Sequence, residues 1–213
     1  METYPISLAI FDFVPTTAFL IGAFFLVKTG LICRGKPCSR MLMLGGLLIF
    51  LGGTFKAVWK LLFTAGIADI QWMSQGQFVY SSIGFLALFV SVLRMIRTRQ
   101  KQLAGSPVLG IAAWKIPFLF LMTLTSLGAE GILVYLSFKR NVPLAAVGFA
   151  FGVLGILAMG ALASADQTLT MQWVEESINA IGQLGFMSGS ILLFRDFKAA
   201  GCPCEDHAGA NND

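Results

Sequence analysis

Six stretches of this chain run for about 20 residues with almost no charge, each divided from the next by a short polar segment. ISLAIFDFVPTTAFLIGAFFLV and PLAAVGFAFGVLGILAMGALA are two of them. Segments of that length match the hydrocarbon core of a bilayer, where backbone groups find no partner outside a helix or a closed barrel. A barrel requires alternating apolar and polar residues, which these runs lack. The reading is therefore an all-α integral membrane protein of six transmembrane helices, near 6–28, 41–65, 76–93, 116–138, 143–164 and 177–194. Composition agrees: 12% of residues are charged and the mean hydropathy is +0.78, against about 25% charged in a soluble domain. The first run lacks the basic start and small-residue cleavage site of a removable signal peptide and is expected to stay.

With six crossings, the connections at 28–40 and 94–107 share a face. They carry Lys28, Arg34, Lys36, Arg40, Arg94, Arg97, Arg99 and Lys101. The other face has Lys139, Arg140, Arg195 and Lys198. The excess makes the loops 28–40 and 94–107 cytoplasmic, with both termini on the opposite face. The net charge of +4 is explained by this topology, and no basic domain is left over to bind nucleic acid.

Cys33 and Cys38 stand in the first loop, Cys202 and Cys204 in the tail. CPCEDH could be a metal-binding fragment with His207, but zinc sites usually join two close pairs. Six crossings place these pairs on opposite faces, so no shared metal is expected.

The sequence also repeats itself. PISLAIFDFVP (5–15) and PVLGIAAWKIP (107–117) each hold nine residues between prolines and lead into an apolar run. QW, GF and Arg recur at 71–72, 84–85 and 94, then at 172–173, 185–186 and 195. Coincidence among apolar helices is the competing reading. A duplication gives a first three-helix repeat over 1–100, a second over 101–198 and a polar tail over 199–213. Three helices is an odd number, so six crossings imply a 3+3 inverted repeat, a plan common among transporters. Pro15 and Pro117 either kink their helices or set off a short interfacial piece. Glycines at 45–46, 52–53, 148/152 and 185/189 suit close helix packing.

Ionisable residues inside the runs are the candidate site. Lys56 and Lys60, one turn apart, share a helix face. Depth along each helix matches Lys56 with Glu130 and brings Asp12 near the level of Lys60. Isolated charge in the bilayer is costly, so pairing or access to water is expected. Snorkelling to the surface is the alternative for Lys60, and an interfacial position for Asp12. Thr123, Ser126, Glu130 and Ser137 fall on one stripe. Glu176, Asn179, Gln183 and Ser190 form a second, and Ser74, Gln77, Ser81, Gly84 and Ser91 a third. A second polar entrance, on the cytoplasmic face, is assigned to Lys115, Glu175, Glu176 and Asn179. Trp72 and Trp173 suit an interfacial aromatic belt.

Three functions follow. The first is a small transporter or channel whose polar path runs between the repeats, for an anionic or proton-coupled solute or ion. The second is a non-catalytic subunit whose charges meet a partner membrane subunit, a second copy or lipid headgroups. The third, an enzyme, has little to stand on. One histidine excludes paired-histidine haem ligation, and no GxSxG, HExxH or phosphate loop occurs. No cofactor is expected.

Overall fold

The computed structural model describes residues 5–96, 115–162 and 168–201. Apart from short turns and helix ends, these form six helices: α1 (Ile6–Phe11), α2 (Phe13–Thr64), α3 (Gln71–Ile96), α4 (Lys115–Lys139), α5 (Pro143–Leu162) and α6 (Leu169–Ala200). Five helical stretches are long and apolar enough to cross a membrane, with α1 and α2 counted together. The chain is thus compatible with an integral membrane protein.

Two interruptions shape the first of these stretches. Pro15 has no N–H to offer the carbonyl of Phe11, one turn back, and α1 ends there, with Asp12 in the bend. At Gly35 the backbone takes φ 71° and ψ −166°, a conformation open mainly to glycine. The two arms of α2, 13–34 and 36–64, fold back on each other across that residue. A Cβ on Gly46 would lie 3.1 Å from Ala23, and one on Gly53 would lie 3.1 Å from Thr16. Each arm is at least about 30 Å long at 1.5 Å per residue.

Each helix then packs on its neighbour in sequence, and α6 closes the circuit against the first arm. Specific contacts fix the directions. The second arm and α3 are antiparallel, because Gly45 meets Gly84 and Leu88 while Gly52 meets Gln77 and Ser81. Likewise α5 and α6 are antiparallel: Gly148 meets Gly185 and Gly189, and Gly155 meets Ile178 and Gly182. The turn over 140–142, with Asn141 at φ 56°, makes α4 and α5 antiparallel. By contrast, α3 and α4 run the same way. Ser82 Oγ donates to the Phe118 carbonyl at 2.7 Å, and further along both helices Phe89 lies against Gly128. The first arm and α6 are also parallel, with ring pairs Phe11–Trp173, Phe19–Phe186 and Phe25–Phe194 at 5.8, 5.3 and 5.5 Å.

These directions correct the inverted repeat expected from the sequence. Helices α4, α5 and α6 run in the same senses as the first arm, the second arm and α3. The expectation assumed that the connection after α3 turns back on one face. Instead α3 ends at the Gly35 end of the bundle and α4 begins at the Asp12 end; the linking residues 97–114 lie outside the described residues. Ile6 and Ala200, the first and last helical residues, stand at opposite ends of the bundle; the termini themselves lie outside the described residues.

The crossings themselves are alike. Gly45 meets the 84, 87 and 88 positions of α3, and Gly148 meets the 185, 188 and 189 positions of α6. The matched α3 and α6 positions are 101 residues apart, the offset seen in the sequence.

Phe19, Phe149 and Phe186 are buried where the helices converge, with Phe85 against Phe19. From that level to the Gly35 end the interior is mainly apolar: Leu26, Leu42, Val92, Leu133, Leu193 and Phe197 fill it, with the buried hydroxyls of Thr29, Ser91, Ser137 and Ser190 among them. Residues such as Ile21, Phe24, Phe120 and Leu154 point outward, as lipid-facing side chains would.

Candidate functional site

A charged cluster occupies the other half of the bundle. Asp12 sits at the bend after α1, Lys56 and Lys60 on successive turns near the end of the second arm, and Glu176 two turns into α6. The first arm is antiparallel to the second arm and parallel to α6, so all four reach one level. That level is about 10 Å inside the helix starts at Ile6 and Leu169, at 1.5 Å per residue.

Lys60 is the hub. Its Nζ stands 2.9 Å from Asp12 Oδ2 and donates to Glu176 Oε1 at 3.1 Å. Lys56 Nζ donates to the same Oε1 at 3.1 Å. The side chains of Asp12, Lys60 and Glu176 are 3–4% exposed, whereas that of Lys56 is 34% exposed. Two ammonium groups and two carboxylates sum to zero. The like-charged lysines tolerate one another because Glu176 lies between them and Asp12 takes up the second charge. Taking charges out of water is expensive unless they are paired in this way.

The sequence expectation paired Lys56 with Glu130. The structure gives Lys56 to Glu176 instead. It also removes the second entrance, because α6 begins at the Asp12 end and brings Glu176 into the cluster. Glu175 is its half-buried neighbour. Asn179 and Gln183, also half-buried, follow at one-turn steps along α6. Lys115 opens α4 at the same end of the bundle, but its side chain lies outside the described residues.

Glu130 stands apart on α4, between α3 and α5. It is 8% exposed and lies against Gly152 of α5. Among the described residues its Oε2 has no hydrogen-bond partner. Thr123 and Ser126 do not join the cluster either. Thr123 Oγ1 donates to the Leu119 carbonyl at 2.9 Å and Ser126 Oγ to the Thr123 carbonyl at 3.1 Å. Ser82, Ser91, Thr125 and Ser137 also bond carbonyls one turn back. Several of the striped hydroxyls, those of Ser91, Thr123, Ser126 and Ser137, therefore satisfy their own backbone, a common habit of hydroxyls in apolar helices.

Trp59 Nε1 donates to Asp69 Oδ1 at 2.9 Å at the cluster's end of the bundle. Trp72 is exposed and packs edge-on to Phe55, while Trp173 packs on Phe11. At the opposite end Arg140 Nε meets Asp196 Oδ2 at 2.6 Å, and the Arg140 guanidinium lies 4.5 Å from the Phe197 ring centre. No group of three or more His, Cys, Asp or Glu able to hold a metal occurs among the described residues. Cys202, Cys204 and His207 lie outside them.

The sequence reads Gly152 as helix packing, not as the residue that makes room for Glu130, and it does not assign Phe19, Phe85 and Phe186 to closing the interior beneath the cluster. The GF pairs were a signal for the latter two, since both phenylalanines follow the glycine of a helix crossing. No family model matches this chain, nor does any curated protein or solved structure.

Proposed function

We propose that the protein is a small multi-pass membrane transporter whose solute site is the cluster of Asp12, Lys56, Lys60 and Glu176. The chain would cross the bilayer six times with described segments, the two arms of α2 counting separately. The matched glycine crossings support a duplicated three-helix unit over 1–100 and 101–198, with the halves in the same sense; parallel repeats occur among transporters as well.

The orientation follows from charge. Lys28, Arg34, Lys36, Arg40, Arg94, Lys139, Arg140, Arg195 and Lys198 all belong to the Gly35 end. A basic end of this kind faces the cytoplasm, so the cluster opens toward the other side.

The observation that carries the reading is the exposure of Lys56 beside three buried partners. An anionic solute could take Lys56 away from Glu176 while Lys60 keeps its contacts with both carboxylates. The aromatic contacts of Phe19 close the way onward, as in one state of an alternating site. Glu175, Asn179 and Gln183 would supply further polar contacts.

A second reading has support in the same geometry. A cluster that neutralises itself completely is also what a clamp joining α1, the second arm and α6 requires. In that case the protein is a non-catalytic subunit working with a partner chain or lipid.

Anion flux into proteoliposomes separates the two. Lys56→Met should fold and abolish flux under the transport reading. Flux unchanged in Lys56→Met, or absent in the wild type across a panel of anions, favours the clamp.

A further inference from the structure

Glu130 belongs to a different part of the bundle from the cluster, and nothing in the proposed solute site uses it. Its carboxyl is more than nine-tenths buried, in a helix long and apolar enough to cross the membrane. A Cβ placed on Gly152 would lie 2.8 Å from Oε1 and 3.1 Å from Oε2. The carboxyl therefore fills the space that any other residue at 152 would claim.

Among the described residues no cation is paired with it. Helix α5 carries no ionisable residue. In α3 the ionisable residues are Tyr80 and Arg94, with Arg94 in the last turn. Within α4 they are Lys115 and Lys139 at the ends and Tyr135. From α6, Gly182 reaches the Gly152 backbone, and the nearest charged groups in its sequence are Glu175 and Glu176 before it and Arg195 after it. The Glu176 carboxylate is already held by Lys56 and Lys60. A carboxylate left in such surroundings is strongly disfavoured relative to the neutral acid.

We propose that Glu130 and the space opposite Gly152 form a proton-binding site, separate from the charged cluster. The carboxylate oxygen takes up one proton and releases it unchanged, so no other reactant is needed. The proton is the ligand that satisfies a buried carboxylate without a counter-ion. Gly152 leaves the carboxyl its space on α5, and Gly155 and Gly182 bring α6 close to α5 behind it. This assignment does not depend on the cluster carrying a solute.

Infrared difference spectroscopy of the purified full chain in detergent tests it directly. Wild type minus Glu130→Gln should show the carbonyl stretch of a protonated carboxylic acid near neutral pH. That band should move on exchange into heavy water and fade as pH rises. Wild type minus Lys56→Met should lack it. If Glu130→Gln fails to fold, Gly152→Ala serves in its place: a methyl against the carboxyl should shift the frequency of the same band. A difference spectrum with only carboxylate stretches from mildly acidic to mildly alkaline pH overturns the proposal. So does a protonated-acid band unchanged in Glu130→Gln or in Gly152→Ala.

Discussion

Lys60 Nζ lies 2.9 Å from Asp12 Oδ2, joining residues 48 positions apart in the sequence across the fold at Gly35. The contact exists because α1 and the end of the second arm return to the same level. Lys60 also holds Glu176, so removing it leaves two buried carboxylates with Lys56 alone.

Lys60→Met should therefore destabilise the protein by about 3–5 kcal/mol, the usual cost of stripping one partner from a buried ion pair. Adding Asp12→Asn should recover part of the loss, since one of the stranded charges is then gone. Thermal unfolding in detergent measures both. A Lys60→Met protein as stable as wild type would mean the cluster is already hydrated.

The helix crossings predict a sharp contrast among glycines. A Cβ on Gly45 would come within 2.8 Å of the Gly84 carbonyl oxygen, and one on Gly148 within 2.7 Å of the Gly185 oxygen. Gly45→Ala and Gly148→Ala should each cost about 1–3 kcal/mol through overpacking against rigid backbone. Gly131, also helical, has nothing within 4 Å of its Cβ position. Gly131→Ala should be neutral or gain up to about 1 kcal/mol of helix propensity. Unfolding midpoints of the three variants, compared in one detergent, provide the measurement.

The direction of the second half can be read from outside. The turn at Ile67 and the turn at Asn141 lie at opposite ends of the bundle. In a background where Cys33, Cys38, Cys202 and Cys204 are serine, Ile67→Cys and Asn141→Cys should react with an impermeant maleimide from opposite sides of the membrane. An inverted second half would expose both on one side.

Much of this architecture is legible in the sequence, and the part that is not has a definite cause. Hydropathy places the helices, and the recurring GF marks the glycines at the crossings of α3 and α6. The local environment of Asp12 and Lys60 also follows, because one fold at Gly35 decides it. The error over Lys56 comes from parity. Depth along a helix can be computed from its rise, but hydropathy does not fix the end of the bundle from which α4 and α6 start. Reversing both helices takes Glu176 to the cluster and removes the argument that matched Glu130 with Lys56. The serine and threonine stripes misled for a local reason: a hydroxyl one turn from a helix carbonyl can bond that carbonyl and needs no water-filled path.

A single cross-link reaches the point on which the cluster depends, that α6 runs beside α1 and the first arm in the same direction. Phe11 and Trp173 have ring centres 5.8 Å apart, one residue before Asp12 and three before Glu176. In the cysteine-free background, Phe11→Cys with Trp173→Cys should be joined by a short bifunctional thiol cross-linker, whereas Phe11→Cys with Asp196→Cys should not. The reverse pattern would place Glu176 at the far end from Lys60 and contradict the assembly of the cluster.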